Sequence, residues 1–160
     1  MKKHLNTFDI IQNVTISAIA MHRFTYSFQA TAQKFDLEIY PKTHYFFPVL
    51  PLIYHKDSLQ QILSSNELYT LLAKHPEFCS SLQHRMNKMS SQTFDALNMA
   101  FNKGLLTYNK ETHQISSLRN PFTRTYHQDI THIVLGANKL GKWFAKTPIE
   151  EIQIMLKIEI

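Results

Sequence analysis

FCSSLQHRMNKMSSQTFDALNMAFNKGLLTYNKETHQISSL, residues 78–118, carries two helical signals and a hairpin in unbroken succession. Phe78, Leu82, Met86 and Met89 recur at spacings of three and four, and Phe94, Leu97, Phe101 and Leu105 repeat the pattern. Ser90 or Ser91 offers a cap between the two runs and Gly104 a stop after the second, so the spacing predicts two helices. Leu105 to Tyr108 and Gln114 to Leu118 then flank the polar turn Asn109-Lys110-Glu111-Thr112-His113, which predicts a two-strand hairpin. Upstream, Ser64 and Glu67 have the spacing of a capping box ahead of Leu68, Leu71 and Leu72, and Pro76 ends that helix. Helix, helix, helix and hairpin over residues 64–118 is the order of a winged helix.

Outward on the N-terminal side, the run from Leu52 to Leu63 is helical in spacing, with Asp57 as an internal cap. Phe35 to Pro51 carries Pro41, Pro48 and Pro51 among aromatics and is expected to be extended or turning. From Thr7 to Lys34 two apolar stripes, Ile11, Val14, Ala18, Met21 and Ile16, Ala20, Phe24, Phe28, require a helix buried on more than one side. Asn6 or Thr7 can cap it, and a break is expected near Asn13. On the C-terminal side, Arg119 to Thr125 is a basic loop, and Ile130, Ile133, Val134, Ala137, Leu140 and Phe144 define a second long helix from Asp129. Gly136 and Gly141 lie inside it. A glycine in a helix interior costs about 1 kcal/mol relative to alanine, so a chain with only 3 glycines places two there because another helix approaches closely. Thr147, Pro148 and Glu150 suggest a second capping box before a last helix from Ile149 to Leu156.

The whole is therefore read as one mainly α domain over residues 1–160, with a winged-helix-like centre (64–118) and one β-hairpin. The C-terminal helices (119–160) pack back on the N-terminal part (6–63). Its 160 residues, 44% of them hydrophobic and 18% charged, suffice for one full core. The single cysteine, Cys79, excludes internal disulfides and points to a reducing, cytoplasmic setting. Tyr45 to Tyr54 is the longest apolar run and holds two prolines, far short of the roughly 20 residues a membrane span needs. The polar residues after Met1-Lys2-Lys3 leave no apolar stretch for a secretion signal. Too few glycines remain for a phosphate-cradling loop.

Chemistry is sparse. None of the 9 histidines pairs at i and i+4 with a nearby glutamate, as a zinc-hydrolase helix requires, so no metal site and no cofactor is expected. Cys79 beside Phe78 reads as a structural thiol, and Glu150-Glu151 as first-turn residues complementing the helix dipole. No catalytic residue is assigned, and the chain is expected not to be an enzyme.

The net charge of +5 welcomes an acidic partner. In a winged helix, the third helix would present Gln92, Asp95, Asn98, Asn102 and Lys103 to a duplex. Arg85, Lys88, Lys103, Lys110, Arg119 and Arg124 are the candidates for phosphate contact. Only Lys103 adds a positive charge to the reading helix itself, which favours a solvated face on a fold used for protein docking. Lys139, Lys142 and Lys146 form a stripe read as solubilising, and Trp143 beside them as a lid on the core.

Two patches taken together, LPLIYHK (residues 50–56) and LGKWFAK (residues 140–146), resemble the middle component of three-component ABC (ABC-3C) systems. The opening NTFDIIQNVTISAIAMHRF (residues 6–24) and the helix running into Gly104-Leu105-Leu106 before a hairpin extend that resemblance over nearly the whole chain. The small subunit of Lamassu-type defence complexes is similar to this group. Tyr54 stands where a hydrophobe precedes the histidine in the family, and Leu156 to Ile160 lacks the family's glycine and proline. The resemblance implies a non-enzymatic subunit that bridges an SMC-like or Rad50-like ABC ATPase and a nuclease-type effector, in defence against phage or plasmids, with duplex DNA touched through the complex. It makes Leu50, Pro51, His55, Gly141, Trp143 and Phe144 the candidates for the shared core and partner surface. A stand-alone winged-helix DNA-binding regulator is the alternative.

Overall fold

The N-terminal periodicity builds helix α1 (Val14–Lys34), identified in a computed structural model that describes residues 13–37, 39–121 and 127–160. Asn13 caps it, its side-chain oxygen accepting from the amides of Thr15 at 3.0 Å and Ile16 at 3.3 Å. The expected caps at Asn6 and Thr7 lie outside the described residues. As the two stripes require, α1 is buried on several sides: Met21, Phe24 and Phe28 have no exposed surface. Phe24 sets its ring edge-on to Phe46 at 5.1 Å and to Phe144 at 5.8 Å, tying three distant parts of the chain together.

After α1 come a 3-10 turn (Thr43–Phe46) and the short helices α2 (Val49–Ile53) and α3 (Lys56–Ser64). Helix α2 starts before the expected Leu52 because Pro51 falls in its first turn, where the missing amide has no intrahelical partner to lose. His55, not Asp57, caps α3: its Nδ1 accepts from the Ser58 amide at 3.3 Å, and Asp57 sits in the first turn. Helix α4 (Leu68–Lys74) follows. The capping box expected there does not form. Ser64 is still the last residue of α3, its hydroxyl turned back to the Gln61 carbonyl, and Glu67 itself takes the cap position without a side-chain bond.

A larger correction concerns residues 78–105. Phe78 belongs to a 3-10 turn (Pro76–Cys79), and one continuous helix α5 (Leu82–Asn102) replaces the two expected. Neither Ser90 nor Ser91 caps anything. The Ser90 hydroxyl bonds to the Asn87 carbonyl within the helix, and small buried Thr93 and Ala96 carry the core seam from Met86 to Leu97 and Ala100. Phe94, expected on the apolar face, is 48% exposed.

The hairpin is where the sequence puts it: β1 (Leu106–Asn109) pairs antiparallel with β2 (Gln114–Ser117), Tyr108 opposite Ile115 and Asn109 opposite Gln114. The chain before the first 3-10 turn runs along the other edge of β2, with Lys42 bridged to Gln114 and the Ile115 amide donating to the Pro41 carbonyl at 2.8 Å. Helix α6 (Gln128–Phe144) and helix α7 (Ile149–Leu156) close the fold. Pro148 occupies the cap of α7 while the Thr147 hydroxyl bonds to the Trp143 carbonyl, so the second expected capping box is also absent. Glu150 and Glu151 do lie in the first turn of α7.

The most extensive helix contact joins α1 to α6, the two long terminal helices. A Cβ on Gly141 would meet the backbone of α1 at the Phe24 carbonyl oxygen, lie 2.9 Å from Ser27 Cβ and 3.1 Å from the Phe28 nitrogen. Glycine lets these two backbones touch. At Gly136 a Cβ would come within 2.6 Å of Leu59 Cδ1 and 3.3 Å of Ile53 Cγ2, side-chain atoms of α3 and α2. Helix α1 also packs on α5 and β2, and α6 on α3, so the core is a layer of helices with the hairpin against one side. The last residues are fixed as well: Ile158 is buried, and the Gln83 amide group pairs with the Glu159 backbone in both directions.

Candidate functional site

The two patches that carry the family resemblance meet in the interior. Leu50 and Phe144 are fully buried, Pro51, Gly141 and Trp143 nearly so, and of the six candidates only His55 reaches the surface. Polar bonds clamp this seam from above. The Trp143 indole donates to the Asn66 carbonyl at 2.8 Å, which makes the ring a lid over the core, as its place on α6 suggests. Lys139 departs from the solubilising reading: its ammonium group donates to the carbonyls of Leu63 and Ser65 at 2.7 Å and Ile62 at 3.3 Å. Those carbonyls lie at the C-terminus of α3, where Ile62 also accepts from the Ser65 amide and a cation complements the helix dipole. Lys142 stays exposed, and Lys146 sits over the Phe35 ring at 5.2 Å.

Tyr54, next to His55, shares a hydrogen bond of 2.6 Å with Ser17 on α1, and burial pushes its phenol up to about 12. Burial also lowers His55, followed by the repulsion of the Arg85 guanidinium. Arg85 itself is half-buried. Its Nη1 donates to the Pro51 carbonyl at 2.7 Å, its Nε is buried without a hydrogen-bond partner, and burial lowers its pKa. This arginine, a candidate for phosphate contact in sequence, joins α5 to the LPLIYHK patch.

The other cation candidates are distributed along α5 and the hairpin. Lys88, Lys103, Lys110 and Arg119 are all exposed, and Arg124 lies outside the described residues. Gln92 is half-buried, while Asp95, Asn98 and Asn102 face solvent on α5. Among the described residues the ion pairs are His75–Glu77 and His127–Asp129, each at 3.3 Å, and no lysine or arginine is paired with a carboxylate.

A third constellation, not anticipated from sequence, holds the foot of the hairpin. His22 on α1 is fully inside, its Nε2 at 3.0 Å from both the Arg119 carbonyl and the Ser117 hydroxyl, and two turns along, the Gln29 side-chain oxygen accepts from the Ser117 amide. Burial lowers the His22 pKa, against the raising effect of the Arg119 carbonyl. A histidine and a glutamine seven positions apart on an apolar helix are its only trace in sequence. Concavities among the described residues include one of about 530 Å³ beside Gln33, Leu37 and Tyr40 and one of about 400 Å³ between Phe47, Met86 and Ile160. Among the described residues no three His, Cys, Asp or Glu side chains converge to hold a metal ion. Cys79 is half-buried, its thiol pushed up by burial and directed at the Met155 carbonyl at 3.6 Å.

No helix among the described residues is long and apolar enough to cross a membrane. Clamped terminal helices, a buried motif seam and an antiparallel hairpin define the class: a mainly helical protein with one hairpin, whose signature residues serve the core. The chain belongs to the Middle Component 3 family of ABC-three component (ABC-3C) systems, whose family model matches residues 1–160. No curated protein and no solved structure matches it. Membership makes the other components of such a system its partners.

Proposed function

We propose that the chain is a non-enzymatic accessory subunit of a bacterial defence complex, working in the cytoplasm against phage or plasmids. It bridges an SMC-like or Rad50-like ABC ATPase and a nuclease-type effector. The family match over residues 1–160 carries this reading. The resemblance to the small subunit of Lamassu-type complexes supplies the finer identities of the partners. Because Leu50, Gly141, Trp143 and Phe144 are taken up by the chain's own core, they serve the bridge by holding α2, α3 and α6 in one rigid arrangement; of the six, His55 is the one placed to touch a partner. Co-expression with the ATPase and effector of its system, followed by capture through a tag on this chain, tests the proposal. Both should co-elute in fixed ratio, and ATP hydrolysis and DNA cleavage should follow those chains. Hydrolysis or cleavage by this chain alone, or failure to retain either partner, overturns it.

A stand-alone winged-helix regulator is supported by one observation. The Pro41–Lys42 segment adds a third extended edge to the hairpin behind α5, as a wing sheet would have. That reading requires a preferred duplex site that survives physiological salt and is lost on changing Gln92, Asn98 or Asn102, because base-edge hydrogen bonds carry the discrimination.

A further inference from the structure

A guanidinium carries five N–H donors, and Arg85 on α5 finds one acceptor for them. Its Nη1 donates to the Pro51 carbonyl at 2.7 Å, its Nε is enclosed without a hydrogen-bond partner, and no carboxylate pairs with it among the described residues. Lys139 is the contrast, with three carbonyls around its ammonium group. Half-burial takes water from the Arg85 charge, and a single neutral carbonyl returns little of that loss. Capping the C-terminus of α2 does not require burial, because an exposed cation serves the helix dipole and keeps its water. Pro51 and His55 flank the end of α2, so the bond to Pro51 brings the arginine toward the His55 ring, whose positive charge it opposes. His55 is exposed. Its Nδ1 accepts from the Ser58 amide at 3.3 Å and lies 2.8 Å from the Ser58 hydroxyl, so the proton of the neutral ring sits on Nε2, a donor with no partner among the described residues.

We propose that Arg85 and His55 receive the carboxylate of an aspartate or glutamate from a partner component, seated against the two Nη groups with the His55 Nε2–H as a further donor. This rests on the reading of the chain as a bridging subunit and adds the chemistry of one contact. A carboxylate offers two oxygens to the guanidinium fork and supplies the opposite charge that the chain itself does not. Arginines already stripped of part of their water are the ones that anchor protein interfaces. An apolar partner surface would bury the charge further with nothing in return. Nucleic acid fits less well, because its phosphates come in continuous rows and Asp57, exposed two residues beyond His55, would repel them. A single acidic side chain needs only the one place beside Arg85.

The test uses the full chain co-expressed with the ATPase and effector of its system and captured through a tag. In the Arg85→Lys variant a water-soluble carbodiimide should join the new ε-amine to an acidic residue of one component. Amide formation expels water, which the carbodiimide takes up as a urea, and mass spectrometry of the digest reads both ends of the link. Arg85→Gln should raise the concentration of that component needed for half-retention at least about tenfold. Lys88→Gln, exposed one turn along α5, should raise it less than about threefold. His55→Asn keeps an oxygen to cap α3 but loses the outward N–H, and should weaken retention by about threefold or more. Reversing the charge of the linked residue, which leaves this chain untouched, should cost as much as Arg85→Gln, and the two changes together little more than either alone. Melting curves of the variants show that each is folded. No link from position 85 to a partner carboxylate, retention by Arg85→Gln within about threefold of wild type, or loss of duplex DNA binding by Arg85→Gln with retention unchanged would each overturn the proposal. If wild type holds both components and Arg85→Gln holds them equally, this contact fails while the bridging role stands; if wild type holds neither, both fail.

Discussion

At Gly141 the obstacle to a side chain is the backbone of α1, which cannot step aside, whereas at Gly136 it is chiefly the end of the Leu59 side chain, which can rotate. Gly141→Ala should therefore destabilise by about 1–3 kcal/mol through overpacking. At Gly136→Ala the gain of about 1 kcal/mol from a better helix former offsets most of the strain, leaving the two variants at least about 1 kcal/mol apart in chemical denaturation. Equal stability of both would refute the backbone contact. That two glycines mark close approach is legible in the sequence, because glycine in a helix interior is costly without a reason. Which one meets backbone is not, because that depends on the crossing of α1 and α6. His22 adds a pH dependence. Its pKa is held below the ordinary histidine value in the fold by burial, so the unfolded chain takes up its proton first as pH falls. Stability from this group is full above pH about 6.5 and declines as the pH drops from there toward the lowered folded value. His55 is shifted in the same direction and adds to the decline. His22→Gln should flatten the loss of melting temperature between about pH 7 and pH 5, and a profile as steep as that of wild type would rule out His22 as its source.

At the scale of elements, the hairpin, α6 and α7 follow from local pattern alone, since strand alternation, turn residues and helical spacing agree there. The errors fall where a local cap signal competes with a longer seam. Ser90-Ser91 resembles a helix start, yet Thr93 and Ala96 continue the buried stripe of Met86 into Leu97 and Ala100, and packing against α1 makes one helix worth more than two caps. Ser91→Pro separates these alternatives. In the interior of a continuous α5 it should cost about 3 kcal/mol or more, whereas at the first turn of a second helix it would be nearly neutral. Ser64 and Glu67 fail for a related reason: the loop between α3 and α4 is held from outside by Lys139 and Trp143 on α6, so its orphan carbonyls need no local cap. Lys139→Met should strand those carbonyls and cost about 1–3 kcal/mol, while Lys142→Met, one turn away and exposed, should stay within about 0.5 kcal/mol in thermal melts of the purified chain. Comparable values for both would return Lys139 to the solvated stripe its spacing suggests.

Across the whole molecule, the sequence makes the charge excess plain but not its arrangement. LPLIYHK and LGKWFAK could be recognised as family marks, and only the fold shows their apolar residues spent on the core, with exposed cations spread over the helices, the loops and the hairpin. The hairpin was legible through its strand alternation and polar turn. Its bridge from Lys42 to Gln114 was not, because it joins positions nearly half the chain apart, which no window of sequence contains. A net charge of +5 with no lysine or arginine paired among the described residues has a consequence for the free subunit. Self-repulsion among like charges opposes the compact state, and few attractive pairs exist for salt to weaken. Shortening the Debye length from about 30 Å at 0.01 M to about 8 Å at 0.15 M sodium chloride screens mainly the repulsion. The melting temperature of the isolated chain should therefore rise by about 1–3 °C over that range, where a protein stabilised by surface ion pairs would lose stability. A fall in melting temperature would mean that attractive pairs dominate after all. If the repulsion is concentrated on the hairpin, the Lys42→Gln, Lys110→Gln, Arg119→Gln variant should begin at a higher melting temperature in low salt and gain less from added salt, with calorimetry at two salt concentrations reading both differences.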